Sequence, residues 1–291
     1  MEQQPLLVIR PANRWNFLDF RELLHYSDLL NTFAMRDVKL RYRQTALGAI
    51  WVVLQPLLGA GIFQIIFGLI AQTPTDGLPS FLFYFAGFTA YKSFDNTLNK
   101  ASTCMVRNAN MVSKIYFPRV ILPLSTIHGT LVDFGVSCLV LAVLLLLFRV
   151  PPPIWIVTMP FWLLLIQMLA VGLGLFFAAL TVRYRDVQYI IPVFVQLGMF
   201  LSPIAFSVSY AMEQMETKLL DAGMAALAPV LKNLVLCIPL TGLLDAFRWS
   251  VLGTAVFNWG AVGLAVVVSV LVFLGGALSF SQMEQDFADV I

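Results

Sequence analysis

The residues able to do chemistry in this chain are few and scattered. Opposite charges stand three apart in Lys92 and Asp95, in Arg183 and Asp186, and in Asp245 and Arg248. That spacing puts each pair on one helical face and suits local ion pairs that anchor helix ends. His128 and Asp133 are the candidates for a proton relay, because ionisable groups inside membrane segments are costly and usually functional. Five residues of helix turn through about 500°, which leaves these two side chains roughly 140° apart. They cannot pair directly, so Asp133 is expected to anchor to a neighbouring helix or a wet conduit, and His128 to pack. An ATP-binding loop needs a lysine directly after glycine, where backbone amides and the ammonium surround the phosphates. The lysines here follow Val38, Tyr91, Asn99, Ser113, Thr217 and Leu231, so any ATP is expected to be hydrolysed by another chain. Cys104, Cys138 and Cys237 are odd in number and widely spaced, which suggests neither a disulfide framework nor a zinc site.

The elements that must position these groups are membrane helices. Of 291 residues, 59% are hydrophobic and only 12% are charged, with a net charge of +2; the mean hydropathy is +0.85. A soluble domain carries about 25% charged residues, and half that charge could not cover a globule of this size without very large apolar patches. This excludes a soluble enzyme, a disordered regulator and a secreted disulfide scaffold, and the small net charge gives no footprint for nucleic acid. Apolar runs long enough to cross about 30 Å of hydrocarbon as helix lie at residues 47–71, 78–98, 120–148, 154–182, 189–208 and 259–280. The first is too long and too far in to be a signal peptide. Six spans are expected.

Lys and Arg concentrate in the N-terminal segment (Arg10, Arg14, Arg21, Arg36, Lys39, Arg41, Arg43), the second connection (Lys100, Arg107, Lys114, Arg119) and the fourth (Arg183, Arg185). The first connection, 72–79, has none, and the third, 151–153, is preceded only by Arg149. This alternation predicts a cytoplasmic N-terminus, and six spans return residues 281–291 to the same side. Before the first span, Phe17, Phe20, Leu24 and Ala34 fall near one face while Arg21, Glu22 and Asp28 point elsewhere. An amphipathic helix at the inner surface is expected; the alternative is a cytosolic helix packed on a partner. Residues 222–253 are cut by Pro229, Lys232, Pro239 and Gly242 into pieces of about 10 residues, too short to span, and are expected to form re-entrant helices rather than two more spans. The chain thus divides into a cytosolic segment, 1–45, a six-helix transmembrane domain, 46–280, and a tail, 281–291.

The second connection is the richest. Residues 107–116 are expected to form a short helix with Met111, Val112 and Ile115 on one side, stopped before Pro118 because proline disfavours helix in the residue preceding it. A cytosolic helix with an apolar side and basic flanks suits a partner's groove; equally, the loop could be basic only because inside loops are. The 24 Phe, 8 Tyr and 6 Trp residues are expected mostly in interfacial belts and packing, with a minority available to stack on sugar rings.

Five motifs in order resemble a known family. They are Arg36-Asp37-Val38-Lys39-Leu40-Arg41-Tyr42-Arg43 through Gly48, with Trp51 and Leu54-Gln55-Pro56-Leu57; Asn108-Ala109-Asn110 with Lys114-Ile115-Tyr116-Phe117-Pro118-Arg119; Val182-Arg183-Tyr184-Arg185-Asp186-Val187; Leu201-Ser202-Pro203-Ile204; and Pro239-Leu240-Thr241-Gly242 with Ala246-Phe247-Arg248-Trp249, before the terminal Phe287-Ala288-Asp289-Val290-Ile291. From about residue 20 onward the chain resembles type-2 ABC permeases that export polysaccharides, the O-antigen, capsule and teichoic-acid group.

The resemblance implies an all-α integral membrane protein with six transmembrane helices, an N-terminal amphipathic interface helix and short re-entrant helices before the last span. It implies a homodimer joined by two copies of an ABC ATP-binding subunit, in a bacterial inner membrane with both termini cytoplasmic, moving a lipid-linked polysaccharide. No cofactor is expected on this chain; ATP and Mg belong to the partner ATPase. Residues 107–119 would be the coupling helix, with Asn108, Ala109, Asn110, Lys114, Tyr116, Phe117, Pro118 and Arg119 meeting the ATPase. Arg36, Lys39, Arg41, Arg43, Arg183, Arg185 and Asp186 would surround the cytosolic entry. The first and fifth spans would line the conduit, making Gln55, Gln64, Gln196 and Ser202 the wet candidates. Two departures stand out. Ile238 occupies a position where the family usually has Asn, and residues 210–232 are longer than expected. Teichoic acid, another lipid or a drug is the alternative cargo, and a proton-coupled carrier the more distant alternative.

Overall fold

The computed structural model describes residues 25–42, 50–115, 117–221, 223–255, 258–284 and 287, and these are helical with no strand among them. Arg43, Tyr116 and most of the expected amphipathic helix, including Phe17, Phe20 and Leu24, lie outside the described residues, as does the side chain of Arg41. The chain order is α1 (Ser27–Tyr42), α2 (Ile50–Phe63) with a π-helical continuation (Gln64–Ile70), α3 (Ser80–Arg107), α4 (Ala109–Val112), α5 (Ile121–Leu147), a 3-10 turn (Ile154–Thr158) leading into α6 (Met159–Arg183), α7 (Val187–Leu201), α8 (Val208–Asp221), α9 (Ala228–Cys237), α10 (Pro239–Leu252) and α11 (Trp259–Met283).

Among the described residues, four helical segments are long and apolar enough to cross a membrane: Ile50–Ile70, Ile121–Leu147, Ile154–Arg183 and Trp259–Met283. A fifth arises if α9 and α10, which meet at a 70° bend, act together. Two expected spans differ in detail. The second becomes α3, whose 28 residues reach about 42 Å at 1.5 Å per residue, and its stretch beyond Tyr91 carries Lys92, Asp95 and Lys100. The fifth, expected to run to residue 208, stops at Leu201, because Ser202 turns to an extended backbone (ψ 147°) just before Pro203. Its 15 residues make about 22 Å.

α3 is the central post. It packs on α5 and α6 and is also touched by α2, α7 and α10. The main core gathers Leu82, Phe83, Tyr84, Phe85 and Leu98 of α3, Ile166 and Leu169 of α6, and Leu243, Leu244 and Phe247 of α10. Inside this apolar wall lies a three-helix polar link. The Thr97 hydroxyl is 2.8 Å from Thr130 Oγ1 and 2.7 Å from Gln167 Oε1, and Gln167 Nε2 donates to Ser93 at 2.6 Å. Interhelical hydrogen bonds of this kind hold membrane helices together where hydrophobicity gives no drive for association.

α6 and α11 approach closely at Gly172 and Gly276. A Cβ on Gly172 would lie 2.6 Å from the Phe273 Cα and the Val272 carbonyl, so only the absence of a side chain allows this backbone contact. At the far end of the bundle Trp155 stacks on Trp249 at 5.3 Å and Trp249 meets Trp259 edge-on at 5.2 Å. The third connection, α10 and the start of α11 therefore share one end of the molecule, opposite α4.

Candidate functional site: the α1, α4 and α11 junction

A second core lies at the basic end of the bundle and consists of Phe33, Met105, Val112, Phe117, Ile121, Val171, Leu175, Phe280 and Phe287 among others. It seats the connection between α3 and α5. α3 ends at Arg107, and Asn108 leaves helical geometry (φ −110°, ψ 21°) before α4. The helix expected over residues 107–116 is therefore only one turn long, Ala109–Val112, followed by turns at Ser113 and Lys114. The Asn108 side chain explains the break: its Nδ2 donates to the Cys104 carbonyl at 2.8 Å, competing with the backbone as Asn side chains do at helix ends.

This short connection is braced from both sides. From α1, Arg36 Nη2 donates to Asn108 Oδ1 at 3.0 Å while Nε and Nη2 hold Asp37 Oδ1 at 3.0 and 2.9 Å, and Phe33 packs edge-on against Phe117 at 5.7 Å. From α11, Glu284 Oε1 accepts from the Arg119 backbone N–H at 3.1 Å, and the Arg119 guanidinium donates to the Glu284 carbonyl. Arg119 also lies 5.7 Å from the Phe287 ring centre, and Phe287 meets Phe280 edge-on at 5.4 Å. Both bracing elements are far away in sequence, and both converge on the ends of residues 108–119.

The expected coupling residues thus divide into two kinds. Phe117 is only 4% exposed and Val112 7%, so these two hold the segment in place. Asn110, Lys114 and Ile115 are exposed, and Ile115 presents 58% of its surface. Asn108, Ala109, Pro118 and Arg119 are half-buried. The helical periodicity that put Met111, Val112 and Ile115 on one side fails after Val112, because the helix ends there; Ile115 points outward. No shorter-period signal in the sequence marked that reversal. Beside this segment, Cys104 is buried.

The entry group is also at this end. Lys39, Arg183, Arg185 and Asp186 are exposed. Arg183 lies 5.7 Å from the Tyr184 ring centre and forms no ion pair with Asp186 among the described residues, whereas Lys92 and Asp95 do pair, at 2.6 Å. Asp133 is buried and meets Lys100 Nζ of α3 at 3.5 Å, while His128 is exposed on another face of α5. The helix-to-helix anchor expected of Asp133 is present.

The four conduit candidates are not brought together. Gln55 is half-buried on α2, Gln64 folds back over Gly68 with its Oε1 buried and unpartnered, Gln196 is exposed on α7, and Ser202 is buried with its Oγ unpartnered. No hydrogen bond joins any two of them among the described residues. Sequence reasoning missed Tyr91, whose buried hydroxyl donates to the Val195 carbonyl and ties α7 to α3, and Arg248. The Arg248 guanidinium is 1% exposed, lies 4.1 Å from the Phe83 ring centre and faces Gly87 and the Phe206 carbonyl. Its Nε and Nη2 have no hydrogen-bond partner among the described residues. The i, i+3 spacing to Asp245 pointed to a helix-end pair and not to a cation stacked inside the bundle.

The profile of the ABC-2 type transporter family matches residues 28–215, well over half of the chain. The chain belongs to the ABC-2 type transporter family. Members of this family are membrane subunits of transporters, and the α1, α4 and α11 junction is therefore part of a multi-pass transport protein. The matched stretch runs from α1 through α7 into α8, so it contains the junction's α1 and α4 sides and α3. An O-antigen export system permease protein, RfbA, of Myxococcus xanthus is 26% identical over 202 residues, 69% of this chain and 77% of that protein. Two RfbA permeases of Klebsiella pneumoniae are also similar: one is 26% identical over 62% of this chain and 69% of its own, the other 22% identical over 91% of this chain and 95% of its own. The last of these alignments takes in nearly the whole ABC-2 type chain.

Proposed function

We propose that this chain is the permease subunit of an ABC exporter that moves a lipid-linked polysaccharide of O-antigen type across a bacterial inner membrane, driven by a separate ATP-binding subunit. The observation that carries the reading is the recurrence of one function, O-antigen export, in relatives aligned over most of this ABC-2 type chain. Six spans are assigned: the 50–70 segment, α3, α5, the 154–183 segment, α7 and α11, with α9 and α10 as a re-entrant pair. Their number returns both termini to the cytoplasm. Two copies of the chain would form the conduit along α2 and α7, and two ATP-binding subunits, holding ATP and Mg, would press on the two 108–119 segments.

Force would enter at Asn110, Lys114 and Ile115, the exposed tip. The tip is joined to the rest of the molecule by three supports: α3, which is continuous with α4; α1, through Arg36 and Phe33; and α11, through Glu284. A push on the tip therefore moves α3 together with α5 and α6, to which it is bonded by Thr97, Gln167 and Lys100. α7 is held less firmly, with Tyr91 one of its few polar ties. It carries a broad exposed face that includes Tyr189, Phe194, Gln196 and Phe200, which would move against the partner copy and open a path lined by aromatic planes and Gln196. Transport under this reading is mechanical, and no side chain of this subunit makes or breaks a bond in the cargo.

The experiment is deletion of the gene in its own host with the lipid-linked glycan followed by cell fractionation. Glycan accumulating on the inner side of the inner membrane, with none at the surface, supports the reading; an unaltered surface glycan overturns it in favour of a lipid or drug permease.

A further inference from the structure

We propose that the cleft between α1, α3 and α5 binds the phosphate of an inner-leaflet lipid headgroup. The cleft has a volume of about 480 Å³, and its lining includes Arg36, Asp37, Lys100, Arg107, Asn108 and Gly129. Three of these side chains are cations and one is an acid. Internal pairing does not exhaust the positive charge. Asp37 takes the Nε and Nη2 of Arg36, leaving Nη1 without a hydrogen bond among the described residues. Lys100 faces Asp133 at 3.5 Å on the α5 side. Arg107 is exposed and has no ion pair among the described residues. A tetrahedral phosphate can accept from several guanidinium and ammonium groups at once, and charge-assisted bonds of this type are the strong ones.

The shape suits a headgroup as well as an ion. A space of about 480 Å³ far exceeds the roughly 30 Å³ share of one water, which leaves room for a phosphate and the glycerol esterified to it. The floor is backbone: a Cβ on Gly129 would lie 3.8 Å from both Lys100 Nζ and Val38 Cγ2. The setting is what selects lipid over a free ion. This rests on the proposed topology, in which α1 and the inner end of α3 lie at the cytosolic membrane surface, where basic clusters next to spans attract anionic lipids. A phosphate held by Arg36 and Arg107 would join α1 to the end of α3 at the break before α4, so the lipid would brace the segment that receives the push.

The test uses the full-length chain, purified in detergent and then placed in nanodiscs of phosphatidylcholine with or without dioleoyl phosphatidylglycerol. Bound lipid is counted by native mass spectrometry after release, and Tm is measured alongside. Phosphatidylglycerol should be retained in preference to phosphatidylcholine and should raise Tm. Arg107→Gln removes one surface cation near the headgroup and should lower its retention about fivefold. Gly129→Leu, which fills the floor and keeps every cation, should do the same. Equal retention by both variants overturns the proposal. So does protection by inorganic phosphate equal to that by phosphatidylglycerol, which would make the cleft a site for free anions. Loss of ATP-binding-subunit association in Arg107→Gln with lipid retention unchanged also overturns it and assigns the cleft to the protein partner. Lipid retention is read without export, so its failure is distinct from failure of the exporter reading.

Discussion

Arg36 of α1 donates to the side chain of Asn108 at 3.0 Å, across 72 positions of sequence, at the residue where α3 breaks. α1, which precedes α2, is thereby tied to the start of the short helix between α3 and α5. The same asparagine caps α3 through Cys104, so one side chain both ends the long helix and takes the brace. Arg36→Ala and Asn108→Ala should each lower stability, and a double-mutant cycle should give an interaction of about 1–2 kcal/mol. Thermal unfolding of the four proteins measures it; additivity would mean the bond carries nothing.

Lys100 and Asp133 test whether the buried charge is structural. Removing the cation takes a charged partner from a buried carboxylate, at a cost of about 1–3 kcal/mol. Lys100→Met should therefore be destabilised, and adding Asp133→Leu should recover part of the loss. Asp133→Asn should keep ATP-driven export. Loss of export in a stable Asp133→Asn protein would instead revive a proton-coupled carrier.

Close backbone approach at Gly172 makes a third prediction. A branched side chain there meets main-chain atoms of α11 that cannot rotate away, so Gly172→Val should abolish folded protein or cost more than the roughly 1–3 kcal/mol of ordinary overpacking. Gly263→Ala, with open space around it, should be neutral on the same helix pair. Yield and Tm after detergent extraction decide it.

Cys104 and Cys237 give a labelling signal, because one thiol is buried and the other exposed. In detergent, maleimide should modify Cys237, which is exposed, long before Cys104; early labelling of Cys104 would contradict the packing around α4.

How much of this was legible in the sequence depends on the range of the interaction. The long apolar runs gave most helices, since span length and hydropathy are local properties, and the angle between His128 and Asp133 followed from helix geometry alone. The Lys92–Asp95 pair followed for the same reason. What was not legible depends on contacts made from far away. Phe117 reads as part of a basic, exposed loop until Phe33 covers it, and Ile115 reads as buried until α4 ends early at Val112. The spacing of Asp245 and Arg248 puts them on one helical face, but that α3 supplies Phe83 and Gly87 to take the guanidinium inside is not visible from it. The fifth span reads as continuous through Ser202-Pro203 because both flanks are apolar, although the proline ends the helix. Ile238, by contrast, behaves as its type requires: it begins α10 with no side-chain cap, and the Thr241 hydroxyl three residues on is buried without a partner.

The central claim is that a separate ATP-binding subunit drives this permease through the exposed tip at Asn110, Lys114 and Ile115. The direct measurement is co-purification of that subunit with the chain, together with glycan export in the same cells, for the wild type and for Lys114→Glu combined with Ile115→Glu. Both substitutions lie on exposed side chains, so the variant should reach the membrane at normal level and Tm. The account predicts that it loses the ATP-binding subunit and export together. A variant that keeps both would contradict it and would move the point where force enters away from the 108–119 segment.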